Sequence, residues 1–225
     1  MTKNKRKNDK GTTKKRSGGN VGSFPGEKEA LGLRVIGGRL RGSQLQYAGD
    51  NRVRPMKDRT REAVFNLIST TSKGKHVIDL FAGTGALAIE ALSRGAVSAS
   101  LIEKHLVTMR NLRANVESLA LADCCRLFQA DAFYMARHPV ELQVPPNLPW
   151  LVFCSPPYDF YVEKQTEMLE MLHHLYENAP EESVFVLESD KRFDFGLLQL
   201  VEENNLRRRS YPPAEIGVYR KFGAD

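Results

Sequence analysis

The fold of this 225-residue chain is decided by residues 77–88, which read VIDLFAGTGALA. The first four of these residues are typical of a buried strand, the glycines form a turn, and an apolar helix is predicted from Ala86 to Ser93. Glycine permits positive φ and lets a ligand come close to the backbone. A strand, a glycine turn and a helix in this order therefore predict a loop that binds a nucleotide-like cofactor.

Strands and helices alternate around this loop. Further strands are predicted at 99–102, 126–129, 150–154 and 183–187, with a final pair joined across Pro212-Pro213 within 205–220. Further helices are predicted at 58–68, 105–119, 132–137 and 162–176. Repeated alternation predicts an α/β, Rossmann-like fold with a doubly wound, mostly parallel sheet and helices on both faces.

The spacing around the loop fits two cofactors that both contain adenosine. Gly83, Gly85 and Ala88 match a dinucleotide-binding pattern, and Glu103 follows Gly83 by 20 residues at the end of the next strand. A carboxylate there can accept hydrogen bonds from a ribose diol, which NAD and S-adenosylmethionine share. A dehydrogenase would also need a catalytic His or a Tyr-x-x-x-Lys pair near this edge, and we find no convincing candidate.

Acidic residues at the strand ends favour S-adenosylmethionine. Asp79 precedes the turn, where this cofactor presents an ammonium and a sulfonium, whereas a pyrophosphate would be repelled. Asp131 follows the third predicted strand, where its carboxylate or the adjacent backbone can read the adenine amine. Asp131 is equally suited to cap the helix that begins at Ala132. We expect the cofactor to be held by Asp79, Phe81, Ala82, Gly83, Thr84, Gly85, Glu103, Asp131 and Ala132.

A second motif, Ser155-Pro156-Pro157-Tyr158, follows the fourth predicted strand. Prolines fix φ and remove backbone donors, so their carbonyls are held as rigid acceptors. The Ser155 side chain and the Pro156 carbonyl can accept hydrogen bonds from an exocyclic amine, and Tyr158 offers a flat face on which a base can stack. This arrangement predicts methylation of an amino group on a nucleobase, with Ser155, Pro156 and Tyr158 as the catalytic residues. Catalysis would come mainly from positioning and electrostatics.

Composition excludes several classes of protein. Hydrophobic residues make up 41% and charged residues 27% of the chain, as in ordinary globular proteins. No apolar run approaches the roughly 20 residues that cross a bilayer, and the charged start lacks the apolar region of a secretory signal. Three cysteines, two of them adjacent, form neither a disulfide framework nor a zinc pattern. We expect a cytoplasmic protein with no metal site.

The net charge of +6 is unevenly distributed. Residues 1–16 contain eight basic residues and one acid, and residues 1–33 are predicted to be a disordered basic tail and linker. Residues 34–61 contain a further eight basic residues and two acids, interleaved with apolar residues. Short strands around glycine turns are predicted at 34–46, and Asp58 is a candidate N-cap for the helix that follows.

Three stretches of the sequence, taken together, resemble a known family. Residues 34–42 (RVIGGRLRG), 54–66 (RPMKDRTREAVFN) and 79–92 (DLFAGTGALAIEAL) look like the RsmD-type methyltransferases, which methylate a guanine N2 of 16S ribosomal RNA in the small subunit. The resemblance covers about residues 34–221, with the motifs in the same order and spacing.

The resemblance implies a class I S-adenosylmethionine-dependent methyltransferase domain at 62–225, with a seven-stranded sheet whose last strand is antiparallel. It also implies that small-subunit ribosomal RNA is met within a ribosomal particle by an enzyme that acts as a monomer. The N-terminal extension, residues 34–61, would face the RNA. Basic side chains there can pair with phosphates, and the candidates are Arg34, Arg39, Arg41, Arg54, Arg59 and Arg61.

One residue departs from the family pattern, which has Asp or sometimes Asn where this chain has Ser155. Serine still accepts a hydrogen bond, but it carries no charge and reaches less far. Ser-Pro-Pro-Tyr is more typical of cytosine-N4 DNA methyltransferases. An amino-methyltransferase for cytosine N4 or adenine N6 therefore stays an alternative. A non-catalytic RNA-binding or assembly factor that retains the fold is another, although the cofactor residues are intact.

Overall fold

A computed structural model describes residues 1–2, 32–47, 55–200 and 206–222. The predicted basic tail and Arg54 therefore lie outside the described residues, apart from residues 1–2, 32 and 33. No helix within the described ranges is long and apolar enough to cross a membrane.

The described residues form seven strands and six α-helices, which follow one another in the predicted order except that one predicted helix is divided in two. The strands are β1 (His76–Asp79), β2 (Ser98–Ile102), β3 (Cys125–Phe128), β4 (Trp150–Cys154), β5 (Val184–Asp190), β6 (Leu206–Tyr211) and β7 (Ala214–Arg220). The helices are α1 (Asp58–Ile68), α2 (Ala86–Ser93), α3 (Leu106–Ser118), α4 (Ala132–Arg137), α5 (Phe160–Glu163) and α6 (Gln165–Asn178). Short 3-10 helices, which the sequence analysis missed, lie at 69–72, 122–124, 139–142 and 195–198.

The strands form one sheet in the order β3-β2-β1-β4-β5-β7-β6. The first five strands are parallel, and β7 runs antiparallel to both β5 and β6. The predicted seven-stranded, mostly parallel sheet with an antiparallel last strand is therefore confirmed. β2 pairs with one edge of β1 and β4 with the other, so the strand order reverses direction at β1. In open α/β sheets a crevice opens outside the carboxyl ends of strands at such a point.

Helices cover both faces of the sheet, as predicted. Alternate strand residues point to opposite faces, so Val77 and Phe153 pack with α1, α2 and α3. Ile78 and Val152 pack with α4 and α6 on the other face. Burial on both faces explains why the central strands are continuous apolar runs instead of alternating patterns.

Three local predictions need correction. The predicted strands at 34–46 are reduced to a single antiparallel bridge between Arg34 and Gln44. The helix predicted at 162–176 is two helices, which meet at Lys164. Asp58 does not cap α1, because Lys57 occupies the N-cap position. The Asp58 carboxylate pairs instead with Arg34 and Arg61.

The amino-terminal loop, residues 32–47, packs on α2 through a buried carboxylate. Glu90 has no exposed surface and accepts hydrogen bonds from the amides of Ile36 (2.7 Å) and Gly37 (2.8 Å) and from Nε of Arg94 (2.7 Å). Gly38 has φ +76°, and a Cβ there would lie 2.0 Å from the Ser93 carbonyl oxygen. The loop therefore needs glycine at 38 and an acid at 90 to lie where it does.

The same loop is tied to the cofactor end of the sheet by Asn115 on α3. Its Oδ1 accepts from the Gln46 amide at 2.6 Å, and its Nδ2 donates to the Thr84 carbonyl at 2.9 Å. One buried side chain thus holds the amino-terminal loop and the glycine turn together. The boundary expected between the extension and the domain at residues 61 and 62 falls inside α1, which packs into the core.

Replacing Glu90 by alanine should lower the free energy of unfolding by about 2–4 kcal/mol, because two amides and a guanidinium lose a buried charged acceptor. Urea denaturation measures this change. Glu117→Ala, an exposed glutamate on α3, serves as the control and should change stability by about 0.5 kcal/mol or less. Equal effects of the two substitutions would contradict the assigned role of Glu90.

Candidate active site

A cavity of about 390 Å³ opens at the carboxyl ends of the five parallel strands. The turns after β1, β2, β3 and β4 line it, together with Glu188 of β5. Residues 55–57 and Thr60 close one side, and the turn between β6 and β7 closes another. The cavity therefore lies in the crevice that the strand order predicts.

The glycine loop, Phe81–Gly85, is held in a fixed shape at this end of β1. The amide of Ala82 donates to the Ile102 carbonyl at 2.9 Å, which continues the pairing of β1 with β2. Gly85 has φ +80°, and a Cβ there would lie 2.5 Å from Cδ1 of Leu112. Gly85 directly precedes α2, so the loop leads into the helix as the sequence predicts.

Glu103 bridges two backbone segments of the cavity wall. Its Oε2 accepts from the Gly83 amide at 3.0 Å, and its Oε1 accepts from the His105 amide at 2.7 Å. The carboxylate is 8% exposed and lines the cavity. It therefore stabilises the glycine loop in this structure, and it retains lone pairs that can accept from a ribose diol.

Asp79 is a buried carboxylate without a hydrogen-bond partner among the described residues. It is 1% exposed, it lines the cavity, and neither carboxylate oxygen forms a hydrogen bond. Burial raises the pKa of Asp79 to about 7, and the nearby Glu103 adds to the rise. The amides of Ala88 and Phe81 face it and lower the pKa in part, although they fall short of hydrogen-bond geometry. A cation in the cavity would supply the missing partner.

Asp131 caps α4, as predicted. Its Oδ1 accepts from the Phe133 amide at 2.9 Å, and its Oδ2 pairs with Nζ of Lys104 at 2.9 Å. Burial raises the pKa of Asp131, but the Lys104 and Phe133 hydrogen bonds outweigh this effect and the net pKa lies below its usual value. Asp131 and its neighbour Ala132 both line the cavity. That these two residues contact adenine stays a prediction.

An aromatic cluster forms part of the cavity wall. The ring of Phe81 lies edge-on to Phe133 (6.3 Å) and Phe160 (6.0 Å), and Nζ of Lys164 lies 4.6 Å from the Phe160 ring centre. Phe81 is one of the residues expected from the sequence to hold the cofactor, whereas Phe133 and Lys164 are not. No motif marks them, because α4 and the junction of α5 and α6, where Lys164 lies, come together only through the fold.

The proline loop, Ser155–Tyr158, lines the cavity beside the glycine loop. The Pro157 carbonyl accepts from the Phe160 amide at 2.9 Å, which fixes the turn into α5. The Tyr158 hydroxyl donates to Oε1 of Glu188 at 2.8 Å. The structure therefore brings the predicted amine-binding residues and the predicted cofactor residues, apart from Gly85, to the wall of one cavity, and it adds Glu188.

Arg61 is not available to RNA, so this prediction is wrong. Its side chain has no exposed surface, and its guanidinium donates to the carbonyls of Arg34 and Met56 and to Asp58 at 2.9 Å. Burial lowers the pKa of Arg61, and Asp58 and Glu90 oppose the change. The side chain joins the amino-terminal loop to α1 in place of facing phosphate.

The other described arginines proposed for RNA, which are Arg34, Arg39, Arg41 and Arg59, are exposed but do not line the cavity. Arg39 binds the Ser93 carbonyl through its amide, at the far end of α2 from the glycine loop. That end is about 10 Å along the helix axis. The lysines on the cavity wall are instead Lys57, Lys104 and Lys164.

The sheet order, the glycine loop and the position of the cavity define the fold of the class I S-adenosylmethionine-dependent methyltransferases. The chain belongs to the family described as conserved hypothetical protein 95, which matches residues 33–219. The predicted RsmD-type resemblance is confirmed, because several relatives are named "Ribosomal RNA small subunit methyltransferase D". The chain is therefore a member of a family of ribosomal RNA methyltransferases.

Two relatives and one solved structure illustrate the likeness. The chain is 28% identical over 192 residues to a Bacillus subtilis protein named "Putative rRNA methyltransferase YlbH". This match covers 85% of this chain and 100% of that protein. It is 34% identical over 126 residues to the Escherichia coli "Ribosomal RNA small subunit methyltransferase D", covering 56% and 60% of the two chains. The solved structure of the E. coli "Putative methyltransferase yhhF" is 27% identical with TM-score 0.65, covering 85% and 99%.

Asp79→Asn should change the pH dependence of stability in the ligand-free protein. The folded pKa of about 7 lies above the value of 3.8 for an unburied carboxyl, so wild-type stability should fall as pH rises between these values. The melting temperature of the Asp79→Asn variant minus that of the wild type should therefore increase from pH 5 to pH 8. The exposed Asp123→Asn is the matched control, and parallel pH profiles for all three proteins would contradict the account.

Proposed function

We propose that this protein transfers a methyl group from S-adenosylmethionine to the N2 amine of a guanine in small-subunit ribosomal RNA. The observation that carries this proposal is that an unpaired buried carboxylate, Asp79, and a rigid set of amine acceptors, Ser155 and Pro156, line one cavity. The names of the relatives support ribosomal RNA as the substrate. The choice of guanine N2 rests on the RsmD-type resemblance and on the chemistry of the proline loop.

The residues of the glycine side fit S-adenosylmethionine. Bound there, this cofactor supplies an electrophilic methyl group on a sulfonium. Asp79 would hold its positive charge, and the loop Phe81–Gly85 would let it approach the backbone. Glu103 would accept from the ribose hydroxyls, while Asp131 and Ala132 would lie against the adenine.

The residues of the proline side fit a nucleobase with an exocyclic amine. The lone pair of such an amine is delocalised into the ring, which makes the nitrogen a poor nucleophile. The Ser155 oxygen and the Pro156 carbonyl would accept its N–H groups and turn the lone pair toward the methyl carbon, while Tyr158 stacks on the ring. Methyl transfer would form the nitrogen–carbon bond at the expense of the carbon–sulfur bond of the cofactor, and one amine proton would leave to solvent. Positioning supplies most of the rate.

Basic groups around the cavity would hold the RNA backbone. Lys57, Lys104 and Lys164 lie on the cavity wall, and Arg207 and Arg209 are exposed on β6 just before the turn that lines it. The exposed Arg34, Arg39, Arg41 and Arg59 would contact phosphates further from the cavity, and Arg54, which lies outside the described residues, stays a candidate for phosphate contact. We expect a monomer that meets its RNA in a ribosomal particle in the cytoplasm.

Ser155 favours a second candidate, an amino-methyltransferase for cytosine N4 or adenine N6. Both targets present an exocyclic amine that the same acceptors could bind. The two candidates differ in the methylated nucleoside, and product analysis therefore separates them.

The proposed function is tested with the purified protein, small-subunit particles from cells that lack it, and labelled S-adenosylmethionine. Nuclease digestion and mass spectrometry should identify N2-methylguanosine. N4-methylcytidine or N6-methyladenosine would instead establish the second candidate. No labelled nucleoside from particles or from naked RNA would contradict both.

Tyr158→Ala should lower kcat/KM on these particles by about 10–100-fold, because base stacking contributes about 1–3 kcal/mol. Tyr158→Phe retains the ring and should lose much less. The control is Tyr134→Ala, which removes an exposed tyrosine of α4 outside the cavity wall. Equal activity of Tyr158→Ala and the control would argue against a stacking role.

Lys57→Ala should weaken the affinity for particles most at low salt and reduce the slope of log affinity against log salt by about 1. The reason is that a phosphate contact releases a counterion. The exposed Lys73, which precedes β1 at the opposite end of the sheet, provides the control substitution Lys73→Ala. An unchanged salt slope in Lys57→Ala would show that Lys57 makes no phosphate contact.

A further inference from the structure

Glu188 adds a carboxylate to the amine-binding side of the cavity. The parallel register pairs Cys154 of β4 with Leu187 of β5, so the next residues on the two strands, Ser155 and Glu188, are neighbours. Both line the cavity. Glu188 lies 33 positions after Ser155 in the chain, so it is the pairing of β4 with β5 that brings the two residues together.

Two hydroxyl groups of the proline loop interact with this carboxylate. The Tyr158 hydroxyl donates to Oε1 of Glu188 at 2.8 Å. Burial raises the pKa of Glu188, and the hydroxyls of Tyr158 and Ser155 oppose the rise, although only the Tyr158 contact meets hydrogen-bond geometry. Both hydroxyls thus favour the ionised form of a half-buried acid.

A carboxylate decides which way a neighbouring hydroxyl points. A serine hydroxyl can donate or accept, whereas an ionised carboxylate only accepts. When the Ser155 proton is directed at Glu188, the lone pairs of the Ser155 oxygen face the cavity. The oxygen then accepts from an amine and offers no proton to a carbonyl. The adjacent negative charge also strengthens it as an acceptor.

We propose that Glu188 is a positioning residue that orients Ser155 and Tyr158 as hydrogen-bond donors to itself and so makes Ser155 an obligate acceptor for the target amine. Ser155 and Glu188 together would supply the acceptor and the charge that a single Asp supplies in the family pattern. This inference rests on the proposed function, because it concerns the amine that the proline loop binds. Glu188 acts through Ser155 and Tyr158 and need not contact the base.

The test is a cycle of four proteins, which are the wild type, Glu188→Gln, Ser155→Asp and the double variant. Their kcat and KM are measured on small-subunit particles, with S-adenosylmethionine affinity and melting temperature as checks of folding. Glu188→Gln should lower kcat by about 10–100-fold, as expected for a lost charged hydrogen bond. Its KM for particles and its cofactor affinity should stay within about twofold.

The two single variants should rescue each other. Ser155→Asp alone places two carboxylates side by side, so one of them is protonated and kcat falls. Adding Glu188→Gln removes the repulsion and leaves one carboxylate next to Pro156, so the double variant should recover to within about tenfold of the wild type. A residue needed only for folding would give no such recovery.

The control is Glu215→Gln on β7, which also removes a carboxylate that accepts from a serine hydroxyl, that of Ser210, but lies outside the cavity wall. It should leave kcat unchanged. Wild-type kcat in Glu188→Gln, or no recovery in the double variant, would overturn the role of Glu188. If the methyl label is found on an amine of another nucleobase, guanine is overturned as the target. The same pattern of rescue measured with that base would still support the positioning role of Glu188. An absence of methylation in all RNA would overturn both.

Discussion

The site depends on the buried carboxylate of Asp79 at the end of β1, which has no hydrogen-bond partner among the residues that the structure describes. A buried charge without a partner costs several kcal/mol. Burial therefore favours the neutral form of Asp79 and raises its pKa to about 7. A cationic ligand would recover that cost on binding. Glu103 and the glycine loop form part of the wall against which such a ligand would lie, and Asn115 ties this loop to the amino-terminal loop.

Features set by local chemistry could be predicted from the sequence. The glycine turn, the helix that begins at Ala86 and the capping role of Asp131 depend on neighbouring residues, and the structure confirms all three. The sheet could also be predicted, because buried parallel strands are continuous apolar runs between helices. The meeting of the glycine and proline loops follows from the strand order alone.

Features set by distant contacts could not be predicted. Arg61 was assigned to RNA because it belongs to a basic segment, but its partners include the carbonyl of Arg34, 27 residues away. Glu188 carries no motif, and its place beside Ser155 depends on the register of β4 and β5. Lys164, at the junction of α5 and α6, meets Phe133 because α4 packs against these helices. In each case the deciding partner lies far away in the chain.

The most direct test of this account is the number of protons released when S-adenosylmethionine binds at pH 6, measured by calorimetry in buffers of different ionisation enthalpy. At this pH the ligand ammonium is fully protonated. Asp79 is mostly protonated in the ligand-free protein if its pKa is about 7. Binding of the cation should therefore release close to one proton from the wild type and none from Asp79→Asn. Binding without proton release, or equal release from both proteins, would contradict the assignment of Asp79 as the partner of the bound cation.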